Sequence, residues 1–188
     1  MLGPTLETAR LLLRPPNATD FDAYAEFAAD PVAAEFLGGV QTRSAAWRSL
    51  STLVGAWSLR GYSMFSIIEK QTGRWIGRAG PWFPEGWPGH EVGWGIATHA
   101  QRRGYGREAA AAAIDWAFEQ LGWSDVIHCI DPHNHASIAL AQSLGSSVQR
   151  AGVAAPAPIV ATWDLYGQTR EQWRARFPIG AAGGTRTT

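Results

Sequence analysis

A glycine-rich turn flanked by arginines carries the clearest chemical signature in this sequence. Residues 101–107 have the sequence QRRGYGR, and an alanine-rich segment with helical character follows them. The first amides of a helix have no acceptor within the helix, and the helix dipole places partial positive charge at the same end. Arginine also binds phosphate through paired hydrogen bonds. The turn therefore predicts a binding site for a phosphate group.

Of two common phosphate-binding motifs, the turn lacks one and matches the other in part. A Walker loop needs Gly-Lys-Ser/Thr, which the turn lacks. The dinucleotide fingerprint needs a small residue three positions after its second glycine, and Ala109 satisfies that requirement. An acidic residue about twenty positions further on, Asp125, keeps a nucleotide-binding interpretation open. A tight turn with only a structural role before a surface helix is another alternative.

The segment before the turn, Glu91–Ile96, has the pattern of a strand. Val92, Trp94 and Ile96 fall on one face, and Glu91 shares the other face with two glycines. Glycines inside a strand indicate a bulge, or a place where a ligand or a second backbone comes close. The residues just before it, 81–89, have the sequence PWFPEGWPG and predict an irregular aromatic loop. That loop is either a packed connection or a wall of a substrate pocket.

Together these residues resemble the cofactor-binding segment of the GNAT superfamily of N-acetyltransferases. Gln101-x-x-Gly104-x-Gly106 is similar to the family's Q/R-x-x-G-x-G/A pyrophosphate loop. The wider segment resembles the Rim-type branch, which acetylates the N-termini of ribosomal proteins and many small amines, and residues 6–166 fit the pattern. The resemblance implies acetyl-CoA as cofactor, with its pyrophosphate on the main-chain amides of residues 102–107. The cofactor contacts that it implies are Ile96, Ala97, Thr98, Arg102, Arg103, Gly104, Tyr105, Gly106, Arg107, Asn134 and Ser137.

Acetyl transfer to an amine needs a base, because a lysine amine has a pKa of about 10.4 and an α-amine of about 8. Glu91 is the candidate base, since the Rim-type pattern has a glutamate at this place. Glu85 and His90 are the alternates, and a solvated or arginine-paired glutamate at a strand end is the structural alternative. Main-chain N–H groups of Ile96 and its neighbours would polarise the acetyl carbonyl.

A second stretch, Asn134-x-x-Ser137, resembles the family motif beside the pantetheine arm of the cofactor. The local alternative is that Asn134 or Ser137 caps the helix that follows. Two positions depart from the family pattern. Ala141 stands where many members have a tyrosine that protonates the departing thiolate, so Ser137 would serve, or no acid is needed. Ser146 follows the helix-ending glycine, where phenylalanine is usual.

The hydrophobic pattern predicts a mixed α/β fold of one domain, residues 1–178, followed by a flexible tail, residues 179–188. The tail is polar and glycine-rich. The expected architecture is a twisted, mostly antiparallel sheet of about seven strands, with helices on both faces. The resemblance adds that the sheet splays at the cofactor site. Strands are predicted at residues 6–14, 63–70, 75–80, 91–96, 126–130, 148–150 and 159–166. Helices are predicted at residues 19–29, 32–36, 44–60, 107–121, 136–144 and 168–177.

Composition excludes several classes of partner. The 16 basic and 16 acidic residues balance, so bulk charge favours neither nucleic acid nor a membrane surface. No signal peptide or membrane span is recognised, and we expect a cytoplasmic protein. The single cysteine, Cys129, excludes an internal disulfide and lies in an apolar run, which favours a small buried residue over a nucleophile. No metal-ligand spacing links His99, His128, His133 and His135.

The sequence thus predicts an acetyl-CoA-dependent N-acetyltransferase in which the amine attacks directly, without a covalent enzyme intermediate. The acceptor is a primary amine, on a protein N-terminus or a small molecule. Rim-type relatives often form homodimers, and this resemblance is the only reason to expect a homodimer here. Two alternatives stay open: a non-catalytic acyl-CoA-binding or sensing module, and a nucleotide- or phosphate-binding protein.

Overall fold

A twisted sheet of nine strands forms the centre of the computed structural model, which describes residues 2–157 and 159–178 and the backbone of Arg186–Thr187. The strands are β1 (Leu6–Glu7), β2 (Leu11–Arg14), β3 (Phe65–Glu69), β4 (Trp75–Trp82), β5 (Glu91–Ile96), β6 (Asp125–Ile130), β7 (Ser147–Ala154), β8 (Thr162–Thr169) and β9 (Arg186–Thr187). Their order is β7-β8-β6-β5-β4-β3-β2-β1-β9. The neighbours are antiparallel except β5 and β6, which are parallel.

Helices cover both faces of this sheet, which confirms the predicted mixed α/β fold. On one face, helices α1 (Phe21–Ala29) and α3 (Arg43–Arg60) pack through Tyr24 and Leu50 against Met64 and Trp75. On the other face, helix α4 (Tyr105–Gln120) packs against Leu11 and its neighbours in the sheet. In the described part of the chain, no helix is long and apolar enough to cross a membrane. The helices are α1 (Phe21–Ala29), α2 (Pro31–Ala34), α3 (Arg43–Arg60), α4 (Tyr105–Gln120), α5 (His135–Ser143) and α6 (Arg170–Arg176), with short 3₁₀ turns at Ala18–Asp20 and Thr98–Ala100.

The first predicted strand is two strands, because the chain reverses at Thr8. The Thr8 N–H donates to Leu11 O at 3.0 Å, and the Leu11 N–H donates to Thr8 Oγ1 at the same distance. The Thr8 hydroxyl in turn donates to Glu108 of α4 at 2.6 Å. The predicted tail falls mainly outside the described residues, and its described part, Arg186–Thr187, pairs with β1.

The last long strand begins and ends three residues later than predicted. Its partner β6 sets these limits, since the pairing runs from Asp125↔Thr169 to Ile130↔Asp164. Gly167 interrupts the apolar alternation, which is why the sequence pattern ends early. A Cβ at this glycine would lie 2.7 Å from Val126 O, so the close approach of the two strands requires glycine here.

Strands β5 and β6 part immediately after they meet, which confirms the predicted splay. One residue pair, Glu91↔Ile127, is in register, with the Ile127 N–H donating to His90 O at 2.8 Å. The gap beyond this pair holds the imidazole of His128, whose Nδ1 lies 2.7 Å from Val92 O. The splay therefore exposes one side of β5 beside the residues predicted to do the chemistry.

Candidate active site

A cavity of about 870 Å³ opens beside β5, between the helices of one face and the strands beyond the splay. Glu91 forms part of its wall, together with Asn134 and Ser137 from the start of α5. Aromatic residues make up much of the rest. They are Tyr24, Phe36, Trp82, Trp87, Trp94 and Trp163. The predicted base and the predicted second motif thus meet at one cavity, although they lie more than forty residues apart in the sequence.

The Glu91 carboxyl group is buried, with 7% of the residue exposed. Its two oxygens accept hydrogen bonds from Trp87 Nε1 at 2.6 Å and from the Cys129 N–H at 3.2 Å. Burial raises the pKa of Glu91 to about 7, because these two bonds and the positive charge of Arg78 offset only part of the lost solvation. A carboxylate with this pKa can both accept and release a proton near neutral pH.

The two alternate bases lie elsewhere. The Glu85 side chain is fully exposed and lies 3.9 Å from Arg60. The His90 ring stacks on Trp123, with centroids 4.5 Å apart and an interplanar angle of 10°. Neither residue lines the cavity. Of the three candidates, Glu91 alone reaches the space where an acceptor would bind.

Three tryptophans form a continuous aromatic wall beside Glu91. The centroids of Trp87 and Trp163 are 5.1 Å apart, and those of Trp82 and Trp87 are 6.4 Å apart. Two of these residues come from the segment predicted as a loop, although Trp82 belongs to β4. Sequence reasoning missed Trp163, because nothing in the pattern of β8 distinguishes it from an ordinary strand residue.

The N–H groups of β5 point alternately toward β4 and toward β6. This alternation decides which of them have no acceptor in a neighbouring strand. The Ala97 N–H donates to Ile76 O at 2.9 Å, so it faces β4. The N–H groups of Ile96 and Trp94 lie on the opposite edge, because the direction alternates along an antiparallel strand. That edge faces β6 beyond the single registered pair. The Ile96 carbonyl is occupied, since it accepts from Gln101 Nε2 at 3.0 Å.

The predicted pyrophosphate turn leads into α4 with a row of open amides. None of the N–H groups of residues 102–107 donates to an acceptor in the described part of the protein, and the first helical bond runs from the Glu108 N–H to Gly104 O at 3.1 Å. Two residues give the turn its shape, because their backbones have left-handed φ values of 59° at Arg102 and 79° at Gly104. A Cβ at Gly106 would lie 3.3 Å from Leu140 Cδ2 and 3.5 Å from Ile96 Cγ1. The turn therefore sits against α5 and the end of β5.

The side chains of the turn serve different purposes. Tyr105 is buried and donates its hydroxyl hydrogen to Glu69, and Arg103 lies 3.3 Å from the same carboxylate. The Arg107 guanidinium lies 5.7 Å from the Phe177 ring centroid. Arg102 is exposed and makes no polar contact with any other described residue. Only the backbone of the turn and Arg102 thus face outward without a partner in the described structure.

Other predicted cofactor residues have local roles in the structure. Asn134 Oδ1 accepts from the Ser137 N–H at 3.0 Å, so Asn134 caps α5, as the local alternative expected. The Ser137 hydroxyl accepts from Trp94 Nε1 at 3.2 Å and ties β5 to α5. Thr98 lies away from the cavity, and its hydrogen bond is the main reason that the pKa of Asp30 is lowered. Ala141 is completely buried and cannot act on a thiolate.

A buried polar chain that the sequence did not predict crosses the splay. His128 Nε2 lies 3.0 Å from Ser146 Oγ, and Gln168 Nε2 donates to the same oxygen at 3.0 Å. Burial lowers the pKa of His128 to about 4, so the ring is neutral. The Nδ1 atom carries its proton, because the Val92 carbonyl can only accept. The one feature of the sequence that pointed to this chain was Ser146, which stands where the family pattern has phenylalanine.

Cys129 lines the cavity as an unreactive thiol. Burial, followed by the charge of Glu91, raises its pKa well above the ordinary value. Since the thiolate is the nucleophilic form, this agrees with the prediction that Cys129 is not a nucleophile. The residue is only partly buried, because it borders the cavity.

The comparisons with known proteins agree with this geometry. Residues 10–147 match the family described as Acetyltransferase (GNAT) domain. The chain belongs to the GNAT family. The uncharacterized N-acetyltransferase p20 of Bacillus licheniformis is 30% identical over 152 residues, which cover 79% of this chain and 84% of the relative.

Two solved structures show the same fold. An acetyltransferase from Agrobacterium tumefaciens superposes with a TM-score of 0.78 at 32% identity, over 89% of this chain and 95% of its own. A ribosomal-protein-S5-alanine acetyltransferase from Vibrio fischeri superposes with a TM-score of 0.68 at 16% identity, over 90% and 98% of the two chains. This GNAT protein is therefore an acyl-CoA-dependent N-acetyltransferase, and an amine is its acceptor.

Proposed function

We propose that this GNAT protein binds acetyl-CoA at residues 102–107 and acetylates a primary amine in the cavity, with Glu91 as the general base. The observation that carries the proposal is the Glu91 carboxyl group. It is buried on the cavity wall, at the point where β5 parts from β6, and its pKa is about 7. No base with these properties is needed by a module that only binds an acyl-CoA.

The chain's own groups fit the cofactor. The open amides of residues 102–107 form a cradle for a diphosphate, since they have no competing acceptor in the described structure. Arg102 adds an exposed cation that pairs with none of the described residues. The open edge of β5 continues from this turn toward Glu91, and its Ile96 and Trp94 amides would donate to the pantetheine arm and the acetyl carbonyl. Cofactor roles for Ala97, Thr98, Arg103 and Tyr105 stay predictions.

When bound, acetyl-CoA supplies the acetyl group as a thioester. The Glu91 carboxylate removes a proton from the ammonium form of the acceptor, directly or through a water molecule. Trp87 Nε1 and the Cys129 N–H hold that carboxylate in place. The Ser137 hydroxyl accepts from Trp94 and keeps its own hydrogen free, so it is the candidate donor to the departing sulfur.

A thiol-release assay tests the proposal directly. With acetyl-CoA and a panel of amines, the wild-type protein is expected to release free CoA in amounts equal to the N-acetyl product. Thermal-shift titrations with CoA, ADP and NAD run in parallel. Stabilisation by CoA but not by NAD is expected; stabilisation by ADP and NAD without thiol release would favour the nucleotide-binding alternative instead.

The acceptor class and the assembly are separate parts of the proposal. The resemblance to the Rim-type branch suggests a protein N-terminus as the acceptor. The Vibrio fischeri structure is named for such an acceptor, but at 16% identity its similarity to this chain supports the fold alone. A homodimer and a cytoplasmic location stay predictions. Gel filtration with light scattering tests the first, and mass spectrometry of acetylated peptides tests the N-terminal acceptor.

A further inference from the structure

Arg78 lies on the face of β4 that forms part of the cavity. In the register of β4 and β5, Arg78 is opposite Gly95, Gly80 is opposite Gly93, and Trp82 is opposite Glu91. These alternate positions share one face of the sheet. The guanidinium and the Glu91 carboxyl group therefore belong to the same wall, and both line the cavity.

Met64 brings the two charged groups into one neighbourhood. The Arg78 Nη1 atom donates to Met64 Sδ at 3.2 Å. A Cβ at Gly93 would lie 2.8 Å from Met64 Cε and 3.4 Å from Glu91 Oε1. The end of the Met64 side chain thus lies between the guanidinium and the carboxyl group. Glycine at position 93 keeps this space open beside the base.

The Arg78 guanidinium has no anionic partner among the described residues. No carboxylate lies within 4.0 Å of it, and its Nε atom is buried without an acceptor. Its one hydrogen bond goes to a thioether sulfur, which is a weak acceptor. A partly buried cation without a direct ion pair costs free energy, and an oxyanion bound in the cavity would lower that cost.

The other charged side chains that line the cavity are acidic. They belong to Glu35, Glu91 and Asp131, while His128 is neutral. Asp131 is engaged by His133 through its N–H at 2.8 Å, and Glu35 is exposed. The described lining therefore offers an acidic group for an amine and one guanidinium for an anion. A molecule that carries both charges satisfies both ends.

We propose that the acceptor is a free amino acid with an aromatic or large apolar side chain, and that Arg78 binds its carboxylate. This inference rests on the proposed acetyl transfer. The amino group would face Glu91, and the side chain would pack on the wall of Trp82, Trp87 and Trp163. A protein N-terminus has an amide where the free amino acid has its carboxylate, so it offers Arg78 no anion.

The reaction balances without a further reactant. The amine nitrogen forms a bond to the acetyl carbon, and the bond between that carbon and the CoA sulfur breaks. The ammonium nitrogen gives up two protons. Glu91 takes the first and passes it to solvent, and the second, released as the nitrogen–carbon bond forms, reaches the CoA sulfur through the Ser137 hydroxyl or a water molecule. The products are an N-acetyl amino acid and CoA.

Matched substrate pairs test the inference. Phenylalanine is compared with phenylalaninamide and phenethylamine, and tryptophan with tryptamine, at pH 8.5, which lies above the wild-type Glu91 pKa of about 7. We expect kcat/KM for the amino acids to exceed that for the counterparts that lack a carboxylate at least tenfold. The variant Arg78→Gln should lower the ratio of the two values by about 10- to 100-fold, mainly through KM of the amino acid.

Two controls keep the result interpretable. Arg74→Gln removes an exposed arginine that does not line this cavity and should leave the ratio unchanged. Arg78→Lys keeps the charge without the forked geometry and should restore part of the preference. Melting curves show whether each variant is folded.

Three results would overturn the inference. The first is equal or better turnover by the wild type of the amines that lack a carboxylate, and the second is an unchanged ratio in a folded Arg78→Gln variant. The third is no turnover of any amino acid. In each case, thiol release with other amines and CoA binding show whether the proposed acetyl transfer itself stands or fails.

Discussion

Glu69 ends β3 and Glu91 begins β5, and both carboxyl groups are buried, with 5% and 7% of each residue exposed. The pKa of Glu69 is lowered, first by the Tyr105 hydroxyl and then by Thr72, whose Oγ1 donates at 2.7 Å. Arg103 adds a positive charge at 3.3 Å. Glu91 has two N–H donors and no ion pair, and its pKa is raised to about 7.

The difference shows that partners, and not burial alone, decide what a buried carboxylate can do. Glu69 is surrounded by donors and a cation, so it stays ionised and anchors α4, the helix that follows the glycine-rich turn. Glu91 faces tryptophans and a cavity, so its proton is exchangeable near neutral pH. One glutamate serves the structure, and the other is suited to acid–base chemistry.

Replacing each glutamate by glutamine should affect activity very differently. Glu91→Gln is expected to lower kcat/KM by about 10²- to 10⁴-fold, since glutamine cannot accept the proton of the amine. Glu69→Gln should change kcat by less than about threefold, because it touches no reacting group. The thiol-release assay at saturating amine measures both. Full activity in Glu91→Gln would assign the base to another residue and leave the family unchanged.

The same pair should differ in how stability depends on pH. The pKa of Glu91 is higher in the folded state than its ordinary value of 4.5, so its penalty is absent at low pH and grows as the pH rises toward 7. Above pH 7 this penalty is about 3 kcal/mol. The free energy of unfolding of Glu91→Gln should therefore rise by about 3 kcal/mol relative to that of the wild type as the pH increases from 4 to 9. Urea unfolding across that range measures the gain.

In the same experiment, the stability of the Glu69→Gln variant relative to wild type should change with pH in the opposite direction. The pKa of Glu69 is lowered in the folded state, so its stabilisation is present above its ordinary pKa and is lost in acid. Glu69→Gln should lose stability relative to wild type as the pH rises. Parallel pH curves for all three proteins would contradict both assignments of pKa.

At a fixed neutral pH, Glu69→Gln should lower Tm by about 2–6 °C, because the variant loses strong hydrogen bonds to Tyr105 and Thr72. Differential scanning calorimetry measures the change. Thr72→Ala is the matched control, since it removes one of the same bonds and should have a smaller effect in the same direction. An unchanged Tm would mean that the Tyr105 contact contributes nothing to the attachment of α4.

The glycine-rich turn of residues 101–107 and the helix start after it could be predicted from the sequence because their determinants are local. Gly104, the arginines and the helix start all fall within seven residues. The reversal at Thr8 was missed because Glu108, a hundred residues away, holds it. Arg78 was not singled out, since its lack of an anionic partner depends on which distant segments surround it.

The cavity wall was predictable in part for the same reason. Glu91 and the tryptophans of the preceding loop are close in sequence, so their neighbourhood could be inferred. His128, Ser146 and Gln168 come from three separate segments, and their chain is a product of the tertiary fold. Periodicity assigns such residues to strands and turns but cannot say that they meet.

Trp87→Phe should give the smallest effect of the set and sharpen the comparison of the two glutamates. The Trp87 N–H donates to Glu91 at 2.6 Å and lowers the pKa of its carboxyl group. Without that bond, the midpoint of the pH–rate profile should rise by about 0.5 to 1 pH unit, with little change in the plateau at high pH. Trp163→Phe is the matched control, because this ring packs on Trp87 and makes no hydrogen bond to the carboxyl group. A midpoint that stays in place, or that moves equally in both variants, would mean that the indole packs beside the base without tuning it.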